Sequence, residues 1–578
     1  GPIRIGQGIE FDYASVHCVR TLKKLGYEVV MVNNNPETVS TDFDTADRLY
    51  FEPLYGEDVM DIIATEQPYG TVVAFGGQTA IKLTRTLAEN NIRILGTSAD
   101  SIDTAEDRER FDEILSRLGV QRPQGHSVFT KEEALAAAHD LEYPVLVRPS
   151  YVLGGQNMSI AFSDEAIDRY MDIILSGSPI ENPILVDKYL MGLEVEVDAI
   201  CDGEEVLIPG IMEHVERAGI HSGDSIAMYP PRNLSGPVIR QLCEITRTLA
   251  LALETHGLIN IQFVIHHNKV YIIEANPRAS RTVPYMSKVT GLPIVEIATR
   301  AMLGERIIDM GYTPGLYHES ACKAVKAPVF SFEKLTGVDT TLGPEMKSTG
   351  EVLGIGRTIE EAMYKALLSA GYTLSNKGGM LITVQDRDKP EIVSTARRFF
   401  NHGFEMYATA GTAELLNRNG ITTTSVGKIH EGENDIIDLL ESGKINYVIS
   451  TSESGQMPHA DSVQMRRKAV TSRIPCLTSI DTANVLADVI ESGYNQRNME
   501  LIDIARLPNS KQELRFIKMR GSGSDSICFD CFDQDIDNPE SLAVRLTSRT
   551  RGIGGDNIIL IEPSWRADAA MRKFNVDG

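Results

Sequence analysis

Two apolar stretches separated by a short polar break constrain the fold of this chain more than any other feature; they form LINIQFVIHHNKVYIIEANPR, residues 258–278. Each stretch has the β-branched and aromatic composition of a strand, and the break is the tetrapeptide HHNK. Asn268 in this break can take the left-handed conformation that a tight turn requires. If the turn centres on Asn268, Gln262 lies opposite Glu274. The pattern therefore predicts a β-hairpin of defined register.

The end of the second predicted strand carries oxygen ligands. Glu274 and Asn276 are two residues apart and project to one face of a strand, and Gln262 on the partner strand could supply a third oxygen. Such a set suits Mg²⁺ bound with waters and nucleotide phosphates. Arg278 and Arg281 follow and suit phosphoryl oxygens. The alternative is a surface ladder of ion pairs. We favour the metal and phosphoryl-transfer site, because amide side chains add nothing to such a ladder.

Two upstream loops suit a nucleotide. RPSYVLGG places Arg148 at a strand end, and Gly154 and Gly155 follow with backbone N–H groups that can approach phosphates as a flap. The Lys-Ser/Thr of a P-loop is absent, and a Gly-Gly loop alone is more often a turn. In ERAGIHSGDS, His221 could reach a phosphate or cap a turn.

A strand between these loops alternates in polarity. Glu194, Glu196 and Asp198 share one face, and apolar residues occupy the other. The acidic face could accept hydrogen bonds from a ribose, or it could be a solvated strand surface.

Length and charge limit the function classes. The 578 residues predict about four domains at roughly 150 residues each. The net charge of −24 disfavours nucleic-acid and membrane-surface binding, although a few arginines in one cleft can still bind a nucleotide. Seven scattered cysteines indicate reduced thiols and a cytoplasmic location, and Cys528 and Cys531 lack a second pair for zinc. The chain has no initiator Met, and we expect a fragment.

Strand and helix patterns divide the chain into α/β and α+β parts. We expect a doubly wound parallel lobe at residues 1–95, longer strands at 96–310, a mixed and partly helical connecting region at 311–370, a smaller α/β domain at 371–508 and a strand-rich segment at 511–578.

Several motifs closely resemble the carboxyl-terminal half of the large subunit of carbamoyl-phosphate synthetase, an ATP-grasp family. They include GPIRIGQGIEFDYASVH, NNNPETVSTDFDTADRLYFEP, TAEDRERFD, VRPSYVLGG, GIMEHVERAGIHSGDS and EANPRASRTVPYMSK. The resemblance runs from residue 1 to about 508 and implies a pre-ATP-grasp Rossmann-like lobe, an ATP-grasp domain and a methylglyoxal-synthase-like allosteric domain.

The resemblance also implies site residues. Mg²⁺ or Mn²⁺ would bind Gln262, Glu274 and Asn276, and the transferring phosphoryl group would meet Arg278 and Arg281. The nucleotide would be surrounded by Arg108, Arg148, Gly154, Gly155, Lys188, Leu190, Glu194, Gly219, Ile220, His221 and Ser222.

The smaller α/β domain carries an implied effector site. ATAGTAELL puts Thr409 and Thr412 at a helix start, where N–H groups and the helix dipole suit a phosphate. Lys389 and Lys428 match the family's effector-binding lysines. UMP or IMP is the implied effector, and the alternative is that the threonines only cap the helix.

The tail, residues 511–578, resembles the start of diaminopimelate epimerase. Asn575 matches a substrate contact of that family, and Ser524 stands where the family usually has Asn. Cys528 and Cys531 do not match the family's catalytic cysteines, so we expect a truncated segment without epimerase activity.

The implied function is phosphorylation of carbamate by ATP to carbamoyl phosphate, for pyrimidine and arginine biosynthesis. The implied partners are a glutaminase small subunit and the amino-terminal half of the large subunit. The alternatives are another ATP-grasp ligase or carboxylase, and a nucleotide sensor without turnover.

Overall fold

The computed structural model describes most of the chain, in two compact units, residues 1–507 and 508–578. The described residues are 8–149, 158–175, 183–332, 340–427, 429, 436–451, 461–504, 514–521, 523–532, 534, 536, 539–549, 552–564 and 567–576.

The amino-terminal lobe has short helices around a small parallel sheet. Thr71 adds one parallel bridge to Ile94. Apart from this bridge, the described part of the segment TVVAFGGQT, residues 71–79, forms no strand ladder, although Val73 is buried. The Ala74 carbonyl accepts a hydrogen bond from the Ala279 N–H. The elements are α1 (Ile9–Lys24), β1 (Val30–Val32), a 3₁₀ turn (Val39–Thr41), β2 (Arg48–Tyr50), α2 (Gly56–Glu66), α3 (Gly77–Ile81), α4 (Thr84–Glu89) and α5 (Ala99–Glu106), with β1 parallel to β2.

A four-stranded antiparallel sheet follows, in the order β3–β6–β4–β5. Thr130 and Glu133 form a capping box at the start of α7, which fixes where this helix begins. The apolar faces of the strands and of two helices enclose a core of their own. The elements are α6 (Arg108–Leu118), β3 (Gly125–Val128), α7 (Lys131–Leu141), β4 (Val145–Pro149), β5 (Ser159–Ala161), α8 (Asp164–Leu175) and β6 (Ile184–Lys188).

An eight-stranded sheet, here called the grasp sheet, carries the predicted hairpin. The strand order is β11–β10–β7–β8–β9–β13–β14, with β12 paired to β8. The hairpin is confirmed: Gln262 pairs with Glu274, and His267 and Asn268 turn the chain with φ of 49° and 59°. The elements are β7 (Leu193–Asp202), β8 (Val206–Arg217), β9 (Ala227–Tyr229), α9 (Gly236–Ala252), β10 (His256–His266), β11 (Lys269–Asn276), α10 (Val283–Thr290), α11 (Ile294–Met302), β12 (Gly315–Leu316), β13 (Lys323–Val329), β14 (Gly350–Gly356) and α12 (Ile359–Ser369).

The region at 311–370 is more than the helical connection we expected. Its strands β12, β13 and β14 all extend the grasp sheet. The strand pattern is weak in the sequence because Lys326 interrupts the apolar run of β13. This lysine is nevertheless buried, and its ammonium group lies 3.7 Å from a carboxylate oxygen of Glu351.

Unit 1 ends in a five-stranded parallel sheet in the order β17–β16–β15–β18–β19, which confirms the predicted strand-then-helix rhythm. Met380, Leu381 and Ile382 are consecutive and fully buried, as expected for a parallel strand covered on both faces. The elements are β15 (Gly379–Thr383), a 3₁₀ turn (Asp386–Asp388), α13 (Lys389–Asn401), β16 (Glu405–Thr409), α14 (Ala410–Arg418), β17 (Thr423–Val426), α15 (Ile436–Glu441), β18 (Ile445–Ser450), α16 (Asp461–Thr471), β19 (Cys476–Leu477) and α17 (Ile480–Ser492).

Side-chain contacts and a shared apolar core join this domain to the rest of unit 1. Arg217, the last residue of β8, donates hydrogen bonds to Asp481 over 3.1 and 3.2 Å and to Glu391 over 3.0 Å. The guanidinium group of Arg387 lies 3.8 Å from the ring centre of Phe162. Arg232 also donates to Asp488 over 3.1 Å, so the domain is fixed along α17 as well as near the start of α13.

The second unit is strand-rich, as predicted. Its sheet has the order β20–β21–β22–β23, in which only β21 and β22 are parallel. Ile527, Phe529, Ile558 and Leu560 are fully buried on one face. The elements are β20 (Phe516–Gly521), β21 (Ser524–Asp530), α18 (Pro539–Thr547), β22 (Asn557–Glu562) and β23 (Ala570–Asn575). Among the residues described, we find no helix with the length and apolar character needed to cross a membrane.

Candidate functional site

One large cavity in unit 1, of about 1670 Å³, collects the candidate residues. It is lined by every described residue of the predicted nucleotide, metal and phosphoryl set: Arg108, Arg148, Lys188, Leu190, Glu194, Gly219, Ile220, His221, Ser222, Gln262, Glu274, Asn276, Arg278 and Arg281. Gly154 and Gly155 lie outside the described residues. Side chains from distant sequence positions therefore meet in one place.

The three predicted metal ligands are neighbours on the hairpin. Glu274 is exposed to the cavity, and Asn276 Nδ2 donates a hydrogen bond to its Oε1 over 3.0 Å. Gln262 faces Glu274 across the strand pair. Arg278 Nη2 in turn donates to Asn276 Oδ1 over 3.2 Å. Glu274 is thus paired with an amide rather than with an arginine, which argues against the alternative of an ion-pair ladder.

The donor set has the chemistry that a hard cation requires. Glu274 supplies a carboxylate, and a 180° turn of the Asn276 amide would direct its oxygen to the same side. Among the described residues, no group of three His, Cys, Asp or Glu side chains could hold a metal ion. A metal site here would therefore need the amide oxygens of Gln262 and Asn276 beside the carboxylate of Glu274. Three oxygen ligands of this kind fit Mg²⁺.

Arg281 is held at a different place from Arg278. Its Nε and Nη2 donate to Oε1 of Glu10 over 3.2 and 3.1 Å, and its Nη1 lies 2.8 Å from the sulfur of Met346. Arg278 instead donates to the Ala279 carbonyl and to Asn276. The two arginines therefore border the cavity from separate anchors.

Two further arginines share one carboxylate. Arg108 Nη2 donates to Asp187 Oδ1 over 2.6 Å, and Arg148 Nε donates to Asp187 Oδ2 over 3.3 Å. A Cβ atom on Gly125 would lie 1.9 Å from Asp187 Oδ1, so only glycine permits this approach of β3 to the bridge. Asp187 was not among the site residues predicted from the sequence, although it bridges two of them.

Lys188 turns its side chain away from the arginines. Its ammonium group donates to the carbonyls of Glu142 and Tyr143 over 2.7 and 3.4 Å, at the end of α7. Its own N–H donates to the Gln124 carbonyl. The Lys188 side chain therefore fastens a helix end, and its cation is occupied by backbone oxygens.

The acidic face of β7 is not a solvated surface. Glu194, Glu196 and Asp198 are all buried, on the side of the strand that faces the cavity. His214 on β8 has one ring nitrogen 3.5 Å from Glu194 Oε1 and the other 3.5 Å from Glu196 Oε2. Burial raises the pKa of Glu194 to about 7. Burial lowers the pKa of His214, but its hydrogen bond to Glu196 and the charge of Glu194 outweigh this and raise it overall.

The loop after β8 is compact and internally bonded. Gly219 has φ of +102°, and a Cβ atom there would lie 2.7 Å from Ile160. His221 Nδ1 accepts a hydrogen bond from the Gly223 N–H over 3.0 Å, which is the turn-capping alternative, although its ring still borders the cavity. The Ser222 carbonyl accepts a hydrogen bond from Lys326 Nζ.

The candidate effector residues also lie together. Thr409 is the N-cap residue of α14, and within the described chain its side chain makes no capping hydrogen bond. Thr412 is buried in the first turn. Lys389 Nζ lies 3.2 Å from where a Cβ of Gly411 would be, and it pairs with Asp386 over 2.6 Å. A lysine therefore faces the open N-terminus of a helix, whereas Lys428 is outside the described residues.

Comparison with known proteins follows the same division of the chain. A model of the carbamoyl phosphate synthase preATP-grasp domain matches residues 1–104, a model of the carbamoyl-phosphate synthase L chain ATP binding domain matches 107–309, and a model of the MGS-like domain matches 391–478. The carbamoyl phosphate synthase large chain of Lachnoclostridium phytofermentans is 56% identical over 507 residues, and that of Agathobacter rectalis 53% over 510 residues, each match covering 88% of this chain. The chain belongs to the carbamoyl phosphate synthase large-chain family.

This family member spans about half the length of the curated relatives it matches, 47% and 48%. Among solved structures, the biotin carboxylase domain of Hydrogenobacter thermophilus 2-oxoglutarate carboxylase, in complex with MgADP, ADP and bicarbonate, covers 62% of this chain and 88% of its own, with a TM-score of 0.50 at 19% identity. That likeness concerns the fold alone. It agrees with the ATP-grasp architecture predicted from the sequence.

Proposed function

We propose that this chain is the carbamate-phosphorylating half of a carbamoyl phosphate synthase, an ATP-dependent ligase that serves pyrimidine and arginine biosynthesis. The observation that carries the proposal is the hairpin end, where Glu274, Gln262 and Asn276 adjoin Arg278 inside the cavity. A carboxylate, two amides and a guanidinium group in one place suit phosphoryl transfer.

In the proposed reaction, a carbamate oxygen attacks the γ-phosphorus of ATP, a new O–P bond forms, and the bond to ADP breaks. Mg²⁺ held by Gln262, Glu274 and Asn276 would neutralise phosphate charge. Arg278 and Arg281 stabilise charge on the equatorial oxygens as it spreads. Positioning and electrostatics supply the catalysis, and no protein nucleophile is required.

The remaining cavity residues would hold the nucleotide. Arg108 and Arg148 are prealigned by Asp187 and would pair with phosphate oxygens. Glu194 would accept hydrogen bonds from the ribose. Backbone groups would serve at Gly219, Ile220 and Ser222, and at Lys188, whose ammonium group is bound elsewhere. Leu190 and His221 would pack against the nucleotide, and Gly154 and Gly155 would cover its phosphates.

The reverse reaction tests the proposal. Purified full-length chain is given Mg²⁺, ADP and carbamoyl phosphate, and ATP formation is measured. We expect ATP from the wild type and a loss of about 10³-fold in Glu274→Ala, because a metal-binding carboxylate acts on the transition state. ATP binding, measured by calorimetry, should partly survive in this variant. Glu244→Ala removes an exposed carboxylate on α9 and serves as the control.

The alternatives predict other outcomes. A folded wild type that makes no ATP from carbamoyl phosphate but phosphorylates another carboxylate is a different ATP-grasp ligase or carboxylase. A wild type that binds ATP and turns over no acceptor is a nucleotide sensor. Either result would contradict the proposed activity.

We further propose the partners and the effector of this family member. A glutaminase small subunit and the amino-terminal half of a large chain would supply ammonia and carbamate in the cytoplasm. UMP or IMP would bind at Lys389, Thr409, Thr412 and Lys428, supported by the open start of α14 facing Lys389. No nucleic acid or membrane partner is proposed, given the net charge of −24.

The proposed domains are the lobe at 1–95, the ATP-grasp domain at 96–310, its continuation at 311–370, the allosteric domain at 371–508 and the tail at 511–578. We propose that the tail is a truncated, fused segment related to diaminopimelate epimerase, in which Asn575 occupies a substrate-contact position and Ser524 stands where the family usually has Asn. Cys528 and Cys531 are buried, unbridged and outside the family's catalytic positions. Racemisation of a diamino acid, assayed by solvent deuterium exchange at its α-carbon, should be absent.

A further inference from the structure

The arginine loop, residues 277–282, rests on two buried carboxylates of β7: Asp198 makes the shorter contacts, and Glu196 Oε1 lies 3.2 Å from Thr282 Oγ1. Ser280 Oγ donates to Asp198 Oδ1 over 2.6 Å, and Thr282 Oγ1 donates to Asp198 Oδ2 over 2.7 Å. Both hydroxyls are buried, and they lie 2.8 Å from each other. The Thr282 N–H also donates to Ser280 Oγ. Each oxygen of Asp198 therefore holds one residue of the loop.

Asp198 occupies an unusual position for a carboxylate. Asp198 is 2% exposed, and the side chains of Ser280, Thr282 and Asn260 that donate to it are neutral. A buried acid without a basic partner is costly, because neutral donors only partly replace hydration. Burial accordingly raises the pKa of Asp198 to about 6. A purely structural network would be served as well by neutral acceptors, so the cost of the acid calls for a function.

The loop is also held from above. The Ala279 N–H donates to the Ala74 carbonyl of the amino-terminal lobe over 2.9 Å. Arg278 and Arg281 flank the two anchored residues Ala279 and Ser280. Arg278 and Arg281 are therefore each within one or two residues of a backbone position that is held by a hydrogen bond.

We propose that Asp198 is a positioning residue for phosphoryl transfer, which sets Arg278 and Arg281 through Ser280 and Thr282. The inference rests on the proposed function and adds a residue that touches neither substrate nor nucleotide. Charge developing on a phosphoryl group is stabilised most by donors that need no rearrangement, so loosening the loop lowers kcat more than it weakens nucleotide binding.

Paired substitutions at Thr282 test the hydroxyl rather than the packing. Thr282→Val keeps the shape and removes the donor, whereas Thr282→Ser keeps the donor. We expect the valine variant to lose roughly 10-fold in kcat for ATP formation, with the KM for ADP within about twofold, and the serine variant to recover most of the activity. Thr299→Val is the control, because Thr299 is equally buried but lies outside the arginine loop and donates to the Val295 carbonyl of its own helix.

A double-mutant cycle tests the route through Asp198. Ser280→Ala should lose roughly 5- to 20-fold in kcat alone and little more in an Asp198→Asn background, because both changes break the same bond. Hydrogen exchange of the peptide covering the arginine loop should rise in both variants without loss of the overall unfolding transition. Additive losses, unchanged kcat in Ser280→Ala and Thr282→Val, or losses confined to KM would each overturn the inference.

The two proposals fail separately. ATP hydrolysis, in which water replaces carbamate as acceptor, is measured alongside ATP formation. A wild type that hydrolyses ATP but makes none from carbamoyl phosphate contradicts the proposed substrate, and the variants are then compared by hydrolysis. If the wild type is fully active and the variants are equally active, the role of Asp198 is contradicted but the proposed function is not.

Discussion

The hairpin site and the proposed effector site both suit phosphate groups, but they are built differently. Around the cavity, the candidate groups are side chains held by buried carboxylates, such as Asp187 between two arginines and Asp198 beneath the arginine loop. In the MGS-like domain, the candidate groups are the backbone at the start of α14 and one partly exposed lysine, Lys389. Side chains fixed by a shared partner depend on each other, whereas backbone groups at a helix start do not. Substitutions should therefore have large, coupled effects in the first site and small, local effects in the second.

The largest effect after loss of Glu274 is expected at Asp187. Asp187→Ala leaves Arg108 and Arg148 close together without their shared carboxylate, and breaking a buried pair in this way costs about 3 kcal/mol. ATP affinity, measured by calorimetry, and the free energy of unfolding should both fall. Asp187→Asn keeps the shape of the side chain, and its ATP affinity and free energy of unfolding should lie between those of Asp187→Ala and the wild type. An unchanged ATP affinity in Asp187→Ala would show that the two arginines act independently.

Glu194 should make the stability of the unliganded protein depend on pH. Its pKa is raised to about 7 when folded, against about 4.3 in unfolded chains, so the folded state binds more protons between these values. The free energy of unfolding therefore falls as pH rises from about 5 to 7.5. Glu194→Gln should remove this decline and be more stable than the wild type above pH 7 by about 2 kcal/mol, measured by urea unfolding. Glu244→Gln, the exposed control, should keep the wild-type slope.

In the effector site, Lys389→Ala should weaken UMP or IMP binding by roughly 10-fold, because one charge-assisted phosphate contact is lost while the backbone donors of α14 remain. Isothermal calorimetry with each nucleotide measures this change. Lys377→Ala removes an exposed lysine of the same domain and should bind as the wild type does. A loss of 10³-fold or more in Lys389→Ala would mean that this site, too, depends on a coupled side-chain network.

The smallest effect is expected where the two regions meet. Arg217→Ala removes the hydrogen bonds to Glu391 and Asp481, and it should lower the free energy of unfolding by about 1 kcal/mol, because the arginine side chain is 40% exposed and screened by water. Thermal unfolding at low and high salt measures this change. Arg418→Ala breaks a more exposed pair within α14 and should cost less. If Arg217→Ala and Arg418→Ala lower the free energy of unfolding equally, the contact between the domains stabilises the protein no more than an exposed ion pair does.

The hairpin could be predicted because its information is local. Alternation fixed the strands, and the polar break fixed the register that pairs Gln262 with Glu274. The acidic face of β7 was also evident, but its burial was not, because alternation tells which residues share a face and not what covers that face. His214 and Asn260 on the flanking strands β8 and β10 contact the acids, and the loop residues Ser280 and Thr282 lie against Asp198 on this face.

The missed features all join residues that are far apart in the chain. Glu10 and Arg281 are separated by 271 positions, and Arg108 and Asp187 by 79. No periodicity relates such pairs, and each residue is unremarkable in its own segment. Lys326 misled the prediction locally instead. This buried, charged residue interrupts the apolar run of β13, so the strand was not recognised as part of the grasp sheet.

The single backbone bond from Ala279 to Ala74 sets a lower limit on the smallest fragment that can work. A chain shortened to begin at the boundary near residue 107 would keep every proposed metal ligand. It would nevertheless leave the Ala279 N–H without its acceptor and Arg281 without Glu10. The amino-terminal lobe is therefore part of the proposed site, and engineering the ATP-grasp domain as an isolated module would have to replace both contacts.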